Sequence, residues 1–263
     1  MKHRMVLIVV LVTGLLLAGC QSAQQGSVLE KIQTASKAVV GTSADYPPYE
    51  FIDESGNMTG FDIELMEEIA KRMGVDIEWQ DMPFDSLIAA VQEGKIDMSI
   101  SCFNYSEERD QLVDFSEPYY TSQDAFIVSE DFSDQFNAPE DAANFKVGVQ
   151  SGTVQDEWLT EELINAGLMS EANLSRYERV DQAALDLQVG RIDILMADDV
   201  PAKSIVSQYN GLKIILEDML YTGPINIVLP EGASDLQAEV NRIIAELQAE
   251  GFVDALALKY FSE

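Results

Sequence analysis

The chain has 263 residues, 47% of them apolar, and carries 46 acidic against 16 basic side chains, a formal net charge of −30. A surface this acidic repels nucleic acid and anionic lipid headgroups and excludes both as partners. The one histidine is His3 and the two cysteines are Cys20 and Cys102, so residues 20–263 hold no imidazole for a Ser-His-Asp or Cys-His triad and too few soft donors for most zinc sites.

A basic head (Lys2, His3, Arg4) precedes an apolar run from Met5 to Leu17, closed by Leu17-Ala18-Gly19-Cys20. The run is short of the roughly 20 residues that cross a bilayer as a helix, and small residues follow it, the pattern of a cleaved export signal. Residues 1–19 are therefore expected to be a lipoprotein signal peptide, and Cys20 the lipid-carrying residue that anchors the protein on the outer face of the membrane. Cleavage would leave 14 basic against 46 acidic side chains, a net charge of −32. With Cys20 lipidated no intrachain disulfide remains, so stability must come from burial. Residues 20–36 are polar and small, and are expected to form a flexible tether with at most a short helical turn.

From Ala38 onward β-like runs alternate with helical patterns. The expected order is a strand at 38–41, a helix at 61–73 stopped by Gly74, a strand at 75–79, a helix at 84–92 and a strand at 96–100. Such alternation predicts mostly parallel sheet covered by helices. Val91-Gln92-Glu93-Gly94-Lys95-Ile96-Asp97 is echoed by Leu187-Gln188-Val189-Gly190-Arg191-Ile192-Asp193, and Val40-Gly41-Thr42 by Val147-Gly148-Val149. Two similar α/β lobes follow. Residues 114–128 are expected to cross to the second lobe and residues 221–224 to return, giving lobe 1 as 37–126 plus 223–263 and lobe 2 as 127–222. The C-terminal run Leu236, Val240, Ile243, Ile244, Leu247 has helical spacing and is assigned to the first lobe. Ligands of open α/β sheets sit at the carboxyl ends of strands, which points to residues 43–49, 101–109, 150–155 and 197–199.

Four stretches carry a family resemblance: residues 40–51 (Val-Gly-Thr-Ser-Ala-Asp-Tyr-Pro-Pro-Tyr-Glu-Phe), Gly60-Phe61-Asp62-Ile63, Phe84-Asp85-Ser86-Leu87-Ile88, and residues 94–120 from Gly94-Lys95-Ile96-Asp97 through Glu108-Arg109 to Pro118-Tyr119-Tyr120. Over residues 37–263 the sequence resembles the extracellular solute-binding proteins of family 3, the polar amino acid receptors of ABC importers. The resemblance implies a type II periplasmic-binding-protein fold, α/β and two-lobed, each lobe a mostly parallel sheet flanked by helices, joined by a two-stranded hinge. It implies a monomer that binds a polar L-amino acid and presents it to a membrane permease, with no catalytic residues, cofactor or metal.

Carried over by position, the resemblance places Arg109 on the ligand's α-carboxylate, a task suited to a planar guanidinium. Thr153 opens a helix beside the same carboxylate, and Asp198 receives the α-ammonium, with Asp199 capping the next helix as its rival role. Tyr46 and Phe84 cover the ligand side chain, and Ser101, Cys102 and Asn104 form the strand-end run. Ser43 stands where many basic-ligand or glutamine binders carry aspartate, so Asp45, Glu50 and Asp124 are the candidates for a replacement charge. Arg109 is the only basic side chain in the strand-end segments 43–49, 101–109, 150–155 and 197–199, and Gln150 stands where a cation could otherwise sit. Acidic ligands are therefore disfavoured, and the expected order is a cationic amino acid, then glutamine, then small polar ones. A dehydratase-like or carboxylate-based enzyme on the same scaffold, or a receptor shared with a membrane sensor, are the alternatives.

Overall fold

The computed structural model describes residues 27–262, excepting the side chains of 217–222. The expected signal peptide and Cys20 lie outside the described residues. The end of the expected tether folds as a helix, α1 (Val28–Ala35). Ser27 and Glu30 form a reciprocal capping box at its start, and Ile32 is fully buried against the body. One polar face and one buried isoleucine gave too weak a period to show this in the sequence.

The remaining elements in chain order are β1 (Lys37–Thr42), β2 (Asp45–Tyr46), β3 (Glu50–Ile52), β4 (Met58–Thr59), α2 (Phe61–Met73), β5 (Asp76–Asp81), α3 (Phe84–Gln92), β6 (Met98–Asn104), α4 (Glu107–Asp110), β7 (Asp114–Phe115), β8 (Tyr120–Ser129), β9 (Val147–Gln150), α5 (Val154–Trp158), β10 (Leu174–Tyr177), α6 (Val180–Gln188), β11 (Ile194–Asp198), α7 (Asp199–Gln208), β12 (Leu212–Leu229), α8 (Ser234–Ala249) and α9 (Phe252–Phe261). None of the described helices is long and apolar enough to cross a membrane.

The main sheet runs in the order β10-β9-β11-β8-β12-β6-β1-β5, with β7 on β12, and β2-β3-β4 form a small separate sheet. β5-β1-β6 and β10-β9-β11 are parallel trios of the same connectivity. Between them lie the long antiparallel strands β8 and β12, each pairing outward with one trio, β8 with β11 and β12 with β6. The fold is thus two α/β lobes linked by two crossing strands. In one lobe α2 and α8 bury Leu65, Ile69, Val240 and Ile243 completely; in the other, Val147, Leu163 and Ile194 are equally buried. Each such side chain contributes about 1.5–3 kcal/mol.

The internal echo is a structural repeat. Lys95 N–H donates to Ala90 O and Arg191 N–H to Asp186 O, which tucks the chain back after each helix. The Asp97 carboxylate then accepts from Val39 N–H at 2.9 Å and the Asp193 carboxylate from Lys146 N–H at 2.9 Å, so each aspartate ties the turn to the first strand of its lobe. A Cβ at Gly41 would stand 2.4 Å from Ile96 Cδ1, and one at Gly148 would stand 2.4 Å from Ile192 Cδ1. Glycine lets the echoed isoleucines lie flat on these strands, where a larger residue would make them move aside. With residues 95–97 occupied in the turn, β6 starts at Met98 and runs further than the expected 96–100.

Candidate functional site

The carboxyl ends of β1, β6, β9 and β11 meet between the lobes, as the switch-point rule expects. They enclose a cavity with about 10 Å³ of solvent-accessible space, room for about one water. Tyr46, Phe84, Ser101, Cys102, Asn104, Arg109, Thr153 and Asp198 all line it. Ser43 and Asp45 do not; they lie at the seam beside it. Four further residues line the cavity: Glu50, offered from the sequence as a replacement charge, and Gln150, Val154 and Gln155, which fall in the strand-end segment 150–155 but were given no individual ligand contact. Val154 and Gln155 follow Thr153 on the first turn of α5, which brings them to the cavity with it.

Arg109 comes from the short helix α4, whose start is capped by Ser106 Oγ. Its guanidinium donates to Asn104 O at 2.7 Å and, across the lobe boundary, to Gly152 O at 2.8 Å. The guanidinium carbon lies 5.4 Å from the centre of the Phe84 ring and 5.6 Å from that of Phe103, two rings stacked on each other. Burial pulls its pKa down to about 10, opposed by the nearby carboxylates of Glu157 and Asp198, and it stays a cation at neutral pH. Gly152 has φ +75°, and a Cβ there would meet Asp85 Cβ at 3.0 Å, so glycine is what allows the lobes to approach here.

Asp198 ends β11 directly across from Asp124 of β8. Its Oδ2 accepts from the Tyr46 hydroxyl at 2.7 Å, and its backbone N–H donates to the same hydroxyl oxygen at 2.9 Å. Oδ1 is buried and has no hydrogen-bond partner among the described residues, although Ser122 and Gln155 lie near enough to favour the charged form. Burial raises the Asp198 pKa to about 6, against the pull of those neighbours. Asp199 does not cap α7; its carboxylate accepts from Gln123 N–H at 3.3 Å.

Regular strand alternation would not put Ser101 and Cys102 on one cavity. Cys102 has φ 48°, a left-handed backbone, and the pairing of β6 with β12 is irregular at this point, so consecutive residues turn to the same side. The Cys102 N–H donates to Asp62 Oδ2 at 2.7 Å, which fixes the bend. The thiol is 4% exposed, and burial pushes its pKa well up. The Thr153 hydroxyl is held in its own turn, donating to Gln150 O at 2.9 Å and accepting from Asp156 N–H at 3.2 Å. Asn104 donates its amide N–H to Ser122 Oγ at 2.8 Å.

The three carboxylates that sequence reasoning offered as a replacement charge are all engaged. Asp45 accepts from Ser43 Oγ at 2.6 Å, from Val180 N–H at 2.5 Å and from Gln150 Nε2 at 3.2 Å, and pairs with Arg179 at 3.5 Å. Arg179 reaches on to Asp81 at 2.8 Å. This basic residue lies outside the four segments, and only the tertiary fold brings it to Ser43. Glu50 accepts from Ser101 Oγ at 2.7 Å and lies against Asp62, one oxygen of which takes Cys102 N–H and the Tyr119 hydroxyl. Glu50 Oε2 and Asp62 Oδ1 are both buried without another partner. One proton held between them satisfies both atoms. Burial and the Asp62 charge drive Glu50 well up, so it is the protonated member. Asp124 accepts from Gln155 Nε2 at 2.8 Å and faces an outer groove with Tyr105 and Trp158.

Two parallel α/β trios joined by a pair of crossing strands, with a polar cavity between their strand ends, define a two-lobed binding protein of the type II periplasmic class. Residues 38–263 match the model of the bacterial extracellular solute-binding proteins, family 3, and the chain belongs to that family. It is 32% identical to a probable histidine-binding protein of Campylobacter jejuni (subsp. jejuni serotype O:2) over 262 residues, 99% of each chain. Among solved structures it is similar to an ancestral arginine-binding protein bound to glutamine, with 34% identity and a TM-score of 0.80, covering 87% of this chain and 99% of that one. It is also similar to an ancestral amino acid-binding protein described as a precursor of cyclohexadienyl dehydratase, with 30% identity and a TM-score of 0.81, covering 90% and 100%.

Proposed function

We propose that this protein is the extracytoplasmic receptor of an ABC importer, capturing a polar L-amino acid between its lobes. The observation that carries this reading is the pairing, on one cavity, of a buried guanidinium from one lobe with an unpartnered carboxylate oxygen from the other. Arg109 offers parallel donors to an α-carboxylate and Asp198 Oδ1 offers an acceptor to an α-ammonium. The carbonyls that now hold the guanidinium give way as the ligand carboxylate arrives. Because the enclosed space holds about one water, the lobes must part to admit an amino acid and close on it afterwards. The two strands β8 and β12 are the natural hinge, with lobe 1 as 37–126 plus 223–263 and lobe 2 as 127–222.

In this reading the chain works without chemistry. Asp198 and Arg109 neutralise a zwitterion, and the remaining cavity carboxyl, Glu50, is hydrogen-bonded inside the protein. A catalyst on the same scaffold would need a free acid or base facing the ligand. Attachment through Cys20 would keep the monomer beside its permease. Thermal-shift measurement with the common amino acids tests the core of the proposal. A ligand at 100 times its dissociation constant adds about 2.7 kcal/mol of stability, and recovery of that ligand unchanged after long incubation separates a receptor from an enzyme. No shift with any amino acid overturns the reading. Substitution Cys20→Ser tests the anchor: the protein should move from the membrane fraction to the soluble one.

A further inference from the structure

We propose that the ligand's side chain carries no charge: the receptor selects a neutral polar amino acid and excludes both basic and acidic ones. This rests on the reading of the cavity given above and narrows it. An unpaired ion is expensive to bury in such a site, so each ligand charge must meet a matching one. The cavity offers one fixed cation, Arg109, and one carboxylate with an open oxygen, Asp198. Those two meet the two ends of any amino acid, and among the described residues nothing comparable is left for a charged side chain.

Each other candidate counter-charge is closed off by geometry. Glu50, the only other carboxyl on the cavity wall, is bonded to Ser101 and shares a proton with Asp62. Asp45 is capped on one oxygen by Val180 N–H and Gln150 and on the other by Ser43, and Arg179 stands against it. Asp124 lies behind Gln155 and opens on the outer groove. On the basic side, Arg179 is committed to Asp45 and Asp81, so a ligand carboxylate finds no partner either. The wall that remains is built of groups suited to an amide or hydroxyl: Gln150, Gln155, Ser101 and Asn104, beside the flat faces of Tyr46 and Phe84. The sequence expectation of a cationic ligand required one of three carboxylates to be free. The fold commits all three.

Calorimetry on the purified protein with matched pairs tests this: citrulline against arginine, and glutamine against glutamate. The neutral member of a pair should bind at least about tenfold tighter; binding confined to small uncharged amino acids such as serine also supports the inference. Arginine or lysine binding tightest, or equal affinity within a pair, overturns it while leaving the amino acid receptor intact. Failure of every amino acid overturns the underlying reading instead. Arg179→Ala probes the cause. By loosening Asp45 it should shift the arginine-to-citrulline affinity ratio several-fold toward arginine, in a protein whose circular dichroism shows it folded; an unchanged ratio shows that the pairing of Asp45 is not what excludes cations.

Discussion

Tyr46 and Asp198, 152 positions apart in the chain, are joined twice: the phenol donates to the carboxylate at 2.7 Å and accepts the backbone N–H at 2.9 Å. The hydroxyl therefore aims Asp198 and also clasps one lobe to the other. Tyr46→Phe keeps the ring but leaves a buried N–H and a second carboxylate oxygen unpaired, each costing about 1–3 kcal/mol. The closed form should lose stability relative to the open one, and amino acid affinity should fall about tenfold or more by calorimetry. Small-angle scattering should show a larger radius of gyration in the variant. An unchanged affinity would mean that the clasp is not used in closure.

Arg109 has two lobe-spanning duties, one in the present contacts and one assigned to the ligand. Arg109→Ala should weaken amino acid binding by at least about 100-fold, the scale of a lost charge-assisted pair, while the far-UV spectrum stays native. Arg109→Lys should not restore it. A single ammonium cannot reach both Asn104 O and Gly152 O as the guanidinium fork does. Retained affinity in the alanine variant would remove Arg109 from the site.

Much of the architecture was legible because it rests on local pattern. The helix at 61–73 has a clean 3.6-residue stripe and a glycine stop, and the echo around Gly94 and Gly190 repeats a whole turn whose isoleucine and aspartate seat it on the first strand of each lobe. The cavity wall was legible where strand ends fall, at Ser101 to Arg109 and at Asp198. What stayed hidden depends on long-range proximity. Arg179 meets Asp45 across 134 positions, and Asp62 meets Glu50 because the start of α2 is hydrogen-bonded back onto the chain before β3, Phe61 N–H to Pro48 O and Asp62 N–H to Tyr49 O. No periodicity records such pairings. The sequence offered Asp45, Glu50 and Asp124 as a replacement charge, whereas in the folded chain Asp45 pairs with Arg179, Glu50 takes the Ser101 hydroxyl and Asp124 takes the Gln155 amide.

Cys102 offers a test of the bend that turns β6 toward the cavity. At φ 48° a side-chain-bearing residue costs about 1–2 kcal/mol relative to glycine. Cys102→Gly relieves that strain but gives up a buried thiol, so its stability should stay within about 1 kcal/mol of the parent. A β-branched residue fits the left-handed region worst, and Cys102→Val should cost more than about 2 kcal/mol by urea denaturation. With its pKa pushed up by burial and by Asp198 and Asp62, the thiol should also resist iodoacetamide in the folded protein and react in urea. Rapid labelling of the native protein would show that the cavity opens often without ligand.

The buried carboxyls set an unusual dependence of stability on pH. Burial raises Asp124 to about 7 and Asp198 to about 6, both well above an unfolded aspartate near 4. The folded protein then holds more protons than the unfolded chain between about pH 4 and 7. Stability from these groups is complete below the unfolded value and is lost as pH rises through the folded ones. The surface carboxylates whose pKa is lowered by ion pairs, such as Glu68 and Glu239, act in the opposite sense. Their contribution is lost only as pH falls below about 4.5, so the window above it isolates the buried set. The melting temperature without amino acid should fall from pH 5 to pH 7.5, and Asp124→Asn should flatten that fall by stabilising the protein at the higher pH alone. Amino acid affinity should run the other way, rising through about pH 6 as Asp198 gains the charge that an ammonium requires. A melting temperature that climbs across this range would show that these carboxyls are ionised in the folded protein well below pH 6.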